Sequence, residues 1–178
     1  MESPLLQAQT FALLRHTDSL YVLTLGSDRW VLPYPVYQFQ TGDVDGDDVE
    51  EALVGVIKST RFDTETARRL FIFKNKNGHV RPLWMGSRLG GRLEDFCWVP
   101  VGVRSLESGR NGRYAVVEYA WEGFGMGFVR YLVRDTDLET ACQFFHSSIH
   151  EPIPSYHEKN NSMDLSAGLD AQCSGTDQ

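Results

Sequence analysis

Cysteine and basic residues are scarce in this sequence, and long apolar runs are missing. Its 178 residues include three cysteines, Cys97, Cys142 and Cys173, too few and too scattered for a disulfide framework or a zinc site. Seventeen Lys and Arg stand against 24 Asp and Glu, which gives a formal net charge of −7. Binding to nucleic acid requires a basic face that neutralises phosphates, so we expect no nucleic-acid partner. No stretch approaches 18 consecutive apolar residues, so we expect no membrane span.

Motifs of common enzyme classes are also missing. There is no G-x-S-x-G nucleophile elbow, and the glycines of Gly123–Gly127 lack the Lys-Ser/Thr of a phosphate-binding loop. Strand-like segments flank these glycines, which indicates a hairpin turn. We therefore expect no enzymatic activity. Met1 to Thr10 has neither a basic start nor an apolar core, so no secretory signal is visible and composition leaves the localisation open.

What the sequence does contain is a set of strand-like segments. Hydrophobic residues make up 42% of the chain and aromatic residues 12%, enough for a proper core. β-Branched and aromatic residues concentrate in short segments separated by turn-forming residues. These segments are Phe11–Leu14, Leu20–Leu25, Val36–Gln40, Ala52–Ile57, Arg69–Lys74, His79–Trp84, Phe96–Val99, Arg113–Trp121 and Gly127–Val133. The pattern predicts a mainly β protein with antiparallel sheets, forming a single domain over residues 1–146.

Helical signals are limited to two short segments. One is a turn near Asp63–Arg68, and the other is Asp137–Phe145, which Asp135 or Asp137 could cap. Residues 147–178 carry five acidic residues against one base and show no apolar periodicity. Such a segment cannot bury enough surface to offset the entropy of ordering, so we expect an acidic, polar and mostly disordered tail.

An acidic loop is the most informative segment of the chain. Asp43, Asp45 and Asp47 occupy alternate positions, and hard cations such as Ca²⁺ take six to eight oxygen ligands. The backbone carbonyl of Val49 and the carboxylate of Glu51 would complete the protein's share. Without an ion, the acidic side chains would repel one another. The alternative is a solvated Asp/Gly-rich turn that holds no ion.

The loop does not fit an EF-hand, because Asp48 stands at the sixth position and Val54 at the twelfth, where that motif has Gly and Glu. Residues 37–90 instead resemble the FG-GAP/VCBS family of β-propeller repeats. The matching loop residues are Asp43, Asp45, Gly46, Asp47 and Glu51, followed by the apolar strand Ala52–Gly55. Leu70–Phe73, the Asn77–Gly78 turn and Leu83–Trp84 match the hairpin of such a blade. Asp48 departs from the usual Gly and would need a left-handed backbone, which Asp tolerates.

The resemblance implies propeller-like sheets and a loop that binds Ca²⁺ for structural support. A looser recurrence of 40–50 residues places further copies before Pro35 and over Arg92–Arg134. Closed propellers have four blades or more, whereas this chain has room for three. Three arrangements therefore remain open: an open fragment, half of a homo-oligomer, and a divergent small β-sandwich or barrel.

The function expected from these features is a non-catalytic binding or scaffolding module that recognises a protein or glycan partner. Weak Ca²⁺ loops fill where free Ca²⁺ is near millimolar, which favours a bacterial cell envelope or an extracellular setting. The alternative is a small-molecule carrier built as a single antiparallel β-barrel, whose interior can hold one ligand.

Overall fold

Eleven strands and one helix form the part of the chain that the structure, a computed structural model, describes: residues 10–61, 63–86, 89–100 and 102–147. The first sheet contains β1 (Phe11–Thr17), β2 (Leu20–Leu25) and β3 (Asp28–Leu32). The second contains β4 (Val36–Gly42), β5 (Glu51–Lys58), β6 (Ala67–Lys76) and β7 (His79–Met85). The third contains β8 (Arg92–Val99), β9 (Gly102–Ser108), β10 (Tyr114–Trp121) and β11 (Met126–Thr136). The mainly β, antiparallel fold predicted from the sequence is confirmed.

Each sheet is a meander in which every strand pairs with the next strand along the chain. Tight turns make this possible. Asn77 and Gly78 join β6 to β7 with φ values of 56° and 80°, the left-handed conformation that a two-residue hairpin requires. Pro82, which has no backbone N–H, lies beside a register shift in β7, an edge strand where no ladder bond is lost.

The three sheets are stacked, with the second in the middle. Ala52, Val54 and Val56 of β5 pack against the first sheet, whereas Leu53 packs into the cluster shared with the third. Because successive side chains of a strand point to opposite faces, both faces of β5 are covered. This explains why the segment from Ala52 reads as a continuous apolar run rather than an alternating one.

The outer face of the third sheet is covered by helix α1 (Leu138–Phe145), where Ala141 and Phe145 are buried against Leu106 and Val116. Asp137 is its N-cap and accepts a hydrogen bond of 2.8 Å from the Thr140 N–H, so this predicted helix is confirmed. It is the only helix among the described residues, and it is neither long nor apolar enough to cross a membrane.

The helical turn predicted near Asp63–Arg68 is wrong. Asp63 to Thr66 lie outside any helix, and β6 begins at Ala67. Arg69 binds the segment between β5 and β6. Its guanidinium pairs with Asp63 at 2.8 Å and donates to the Glu65 carbonyl at 3.1 Å. These contacts fix an irregular loop that no local sequence signal encodes.

Two strands, β3 and β9, are not predicted from the sequence pattern. β9 carries buried Arg104, Ser105 and Glu107, so it lacks the apolar alternation of a core strand. Among the described residues the sheets remain separate and none closes into a barrel, so the barrel required by the carrier hypothesis is not found there. The predicted acidic tail, 147–178, lies outside the described residues except for Ser147.

Candidate cation site

The acidic loop connects β4 to β5 and is organised around Asp43. One carboxylate oxygen of Asp43 accepts hydrogen bonds from the N–H groups of Gly46 and Asp47, at 2.7 and 3.2 Å. The other accepts from the N–H of Asp48 at 3.0 Å. Gly46 and Asp48 take φ values of 78° and 63°, so Asp48 adopts the left-handed backbone expected from the sequence. The loop thus curls tightly around one carboxylate.

Glu51, at the start of β5, places a second carboxylate against this loop. As the first residue of β5 it lies on the same face as Leu53, towards the cluster between the second and third sheets. Its side chain is completely buried. One carboxylate oxygen, Oε2, accepts a hydrogen bond of 2.8 Å from the Val44 N–H. The other, Oε1, has no hydrogen-bond partner.

Asp43, Asp45 and Glu51 converge on one point. Each offers a carboxylate oxygen, and the three oxygens lie within 4.8 Å of one another. The side chain of Asp45 is only 11% exposed, and its Oδ1 atom is buried without a partner, as is Glu51 Oε1. Buried acceptors are normally satisfied, because each unmet one costs about 1–3 kcal/mol. Two buried oxygens without partners in one acidic cluster are acceptors that a hard cation would satisfy.

The electrostatics of Glu51 point the same way. Burial, together with the negative charges of Asp45 and Asp47, raises its pKa to about 7, while hydrogen bonds from backbone N–H groups oppose the shift. The ionised carboxylate is therefore poorly compensated by the protein alone.

Lys74 supplies the positive charge that the protein itself places at this loop. Its Nζ atom on β6 lies 2.6 Å from Asp45 Oδ2 and 3.5 Å from Asp47 Oδ2. The hydrogen bond to Asp45 raises the pKa of Lys74, so the ammonium stays charged. It contacts Oδ2 of Asp45 and leaves Oδ1 free of partners.

Trp98 of the third sheet fixes the base of the loop. Its indole N–H donates to the Asp43 carbonyl at 3.0 Å, and its backbone N–H donates to the Gln40 side chain at 2.8 Å. A Cβ on Gly42 would lie 2.4 Å from the Trp98 ring, so only glycine permits this close packing. The loop is thereby anchored to two sheets.

The residues predicted as ligands divide into two groups. Asp43, Asp45 and Glu51 form the cluster, whereas Asp47 lies outside it, with Oδ1 accepting the Val49 N–H at 2.9 Å and Oδ2 facing Lys74. The carbonyl of Val49 as a ligand stays a prediction. Lys74 and Trp98 were missed by sequence reasoning, because they are 29 residues from Asp45 and 55 from Asp43, and no local spacing links them.

No protein-family model, curated protein or solved structure matches this chain.

Proposed function

We propose that this chain is a non-catalytic binding module in which the β4–β5 loop holds a divalent cation, Ca²⁺ in the first instance, as a structural element. The observation that carries the proposal is that carboxylate oxygens of Asp43, Asp45 and Glu51 lie together, and that Asp45 and Glu51 each have a buried oxygen without a partner. Carboxylate oxygens are the ligands that Ca²⁺ prefers. The ion would neutralise the cluster and tie β4 to β5 next to Trp98, which stabilises the contact between the second and third sheets.

Exposed aromatic side chains support the recognition part of the proposal. They lie on β11 and in the β10–β11 turn, at the edge of the third sheet opposite to β8, which carries Trp98. Phe124, Phe128 and Tyr131 are 92%, 55% and 47% exposed. The rings of Phe128 and Tyr131 lie 5.0 Å apart, and β11 is an edge strand. Exposed aromatic groups of this kind mark surfaces that contact a protein or a glycan.

The non-catalytic assignment draws support from the buried carboxylates of the third sheet. Glu107 accepts hydrogen bonds from Ser105 and Tyr119 at 2.7 and 2.8 Å, and Glu118 is held by two arginines. These groups are saturated by core contacts.

A weak Ca²⁺ loop fills near millimolar Ca²⁺, which favours a cell-envelope or extracellular setting.

Thermal unfolding in EDTA, in Mg²⁺ and in a Ca²⁺ series up to 10 mM tests the cation site. An ion at about one hundred times its Kd stabilises the folded state by about 2.7 kcal/mol, so we expect Ca²⁺ to raise the Tm by about 5–10 °C. Asp45→Asn should abolish the rise. Asp48→Asn is the matched control, because Asp48 is in the same loop but outside the cluster, and Asn also tolerates its positive φ. A Tm that does not respond to Ca²⁺, or an equal loss in both variants, would refute the proposal.

A further inference from the structure

A basic face lies on the β6–β7 hairpin, beside the acidic loop. Lys74 pairs directly with Arg81 across the two strands, and Lys76 pairs with His79. Side chains that are directly opposite in an antiparallel pair lie on the same face, about 5 Å apart. The side chains of Lys74, Lys76, His79 and Arg81 therefore lie on one face of the hairpin. The net charge of the protein is −7.

This arrangement works against the stability of the hairpin, because like charges directly opposite each other repel. Two of the four groups have acidic neighbours: Lys74 contacts Asp45, and His79 Nδ1 lies 3.5 Å from Asp28 Oδ1. The other two do not. Among the described residues, no carboxylate lies within salt-bridge distance of Lys76 or Arg81.

The same residues line an open concavity of about 550 Å³, together with Asn77 and Pro82. Lys76 and Arg81 are exposed, so both side chains can reach a ligand in it. Because Lys74 and His79 have acidic neighbours, the uncompensated positive charge of this concavity comes from Lys76 and Arg81, and such charge attracts anions. Arg81 Nη1 donates to the Val80 carbonyl at 2.8 Å, so Nε and Nη2 are the nitrogens that can donate two parallel hydrogen bonds to a tetrahedral oxyanion, and Lys76 adds a point charge.

We propose that the face formed by Lys74, Lys76, His79 and Arg81 is an anion-binding site for a sulfate or phosphate group, free or as a monoester on a larger ligand. The two cations without acidic neighbours match the one or two negative charges of such a group. The site does not require the cation in the β4–β5 loop, so the two proposals fail independently.

An NMR titration of the ¹⁵N-labelled chain with sodium sulfate and sodium phosphate, at ionic strength held constant with NaCl, tests this proposal. We expect the amide signals of residues 76–81 to shift along a saturating curve with a millimolar Kd. Arg81→Gln and Lys76→Gln should each weaken binding at least fivefold. Arg110→Gln is the control, because Arg110 is an exposed arginine in the β9–β10 loop of another sheet and should change the Kd less than twofold.

Glucose 6-sulfate, with glucose as its blank, distinguishes the two sources of the anion. A Kd at least fivefold lower than that of inorganic sulfate would assign the site to an ester on a larger ligand, whereas an equal Kd would assign it to the free ion. Shifts that never saturate, or curves unchanged by both Arg81→Gln and Lys76→Gln, would overturn the proposal.

Discussion

Glu51 and Glu118 are both buried carboxylates on inner strands, yet they are compensated in opposite ways. Glu118 on β10 receives hydrogen bonds from the Arg104 Nε and Nη2 atoms at 3.1 and 2.9 Å on one oxygen. Arg130 donates to the other oxygen at 2.8 Å. Glu51 on β5 has backbone N–H donors on one oxygen and no partner on the other.

The difference teaches that burial of an acid is not by itself a sign of a ligand site. Arg104 also donates to the carbonyls of Phe145 and Ser147 at 3.1 and 2.7 Å, so Glu118 belongs to a network that fastens the C-terminal end of α1. Its charge is compensated within the fold. One oxygen of Glu51 has no partner within the fold, and this is why we propose that a cation binds at the β4–β5 loop.

The largest effect that separates the two sites should come from Glu118→Gln. This change breaks the buried ion pair between Glu118 and Arg104, which typically costs about 3–5 kcal/mol, so we expect a loss of about that size in the free energy of unfolding. Urea unfolding in EDTA at pH 8 measures it. Under the same conditions Glu51→Gln should cause no loss, because it removes a carboxylate that the metal-free fold compensates poorly. Equal losses in the two variants would remove the distinction.

The next effect is the pH dependence of the metal-free protein. The pKa of Glu51 rises from 4.5 to about 7 on folding, so between these values the folded state binds a proton that the unfolded state has released. The contribution of Glu51 to the free energy of unfolding is therefore highest below pH 4.5, and it falls as the pH rises to about 7. A shift of this size corresponds to about 3 kcal/mol at most.

The difference between wild type and Glu51→Gln isolates that contribution, since Asp43, Asp45 and Lys74 remain in both proteins. Urea unfolding from pH 5 to pH 8 in EDTA should show the two free energies of unfolding diverging as the pH rises, and saturating Ca²⁺ should abolish the wild-type decline. Parallel curves would show that Glu51 is not strained when ionised.

The sequence predicts the anionic half of the candidate site and not its basic half. Asp43, Asp45 and Glu51 are eight positions apart at most, so their spacing in one loop is readable. Lys74 reaches the loop only because β6 pairs with β5 in a specific register, with Phe73 opposite Ala52. Trp98 arrives from another sheet, and stacking of sheets leaves no local signature in the chain.

The same reasoning explains the fold. Strands with apolar or β-branched runs, such as β5 and β10, are predicted because burial itself shapes their composition. β9 is not, because its buried Arg104, Ser105 and Glu107 are satisfied by partners on β10 and α1 that only the folded structure supplies. The basic face is not predicted for a similar reason. Its four residues alternate with uncharged ones along β6 and β7, so only the pairing of the two strands brings them together.

The smallest effect concerns Lys74, the only counter-charge at the loop among the residues that the structure describes. Lys74 is 26% exposed, so Lys74→Gln should lower the stability of the metal-free protein by about 0.5–1 kcal/mol, as for a partly exposed ion pair. The same change removes a cation that competes with Ca²⁺ for Asp45, and we expect Ca²⁺ to bind about fivefold more tightly, a gain of about 1 kcal/mol. Isothermal titration calorimetry at about 0.1 M salt measures the Kd.

Lys76→Gln is the matched control for this last change, because it removes the same charge from the same strand but from a side chain without a contact to the acidic loop among the described residues. Long-range repulsion between a lysine and Ca²⁺ is screened within about 10 Å at 0.1 M salt, so only the direct competitor should change the Kd at that salt concentration. If both variants tighten Ca²⁺ binding equally, the effect is one of net charge, and Lys74 has no special role. If only Lys74→Gln does, the contrast with Glu118 is complete: there the arginines are permanent partners, whereas here the lysine holds a place that a metal ion can take.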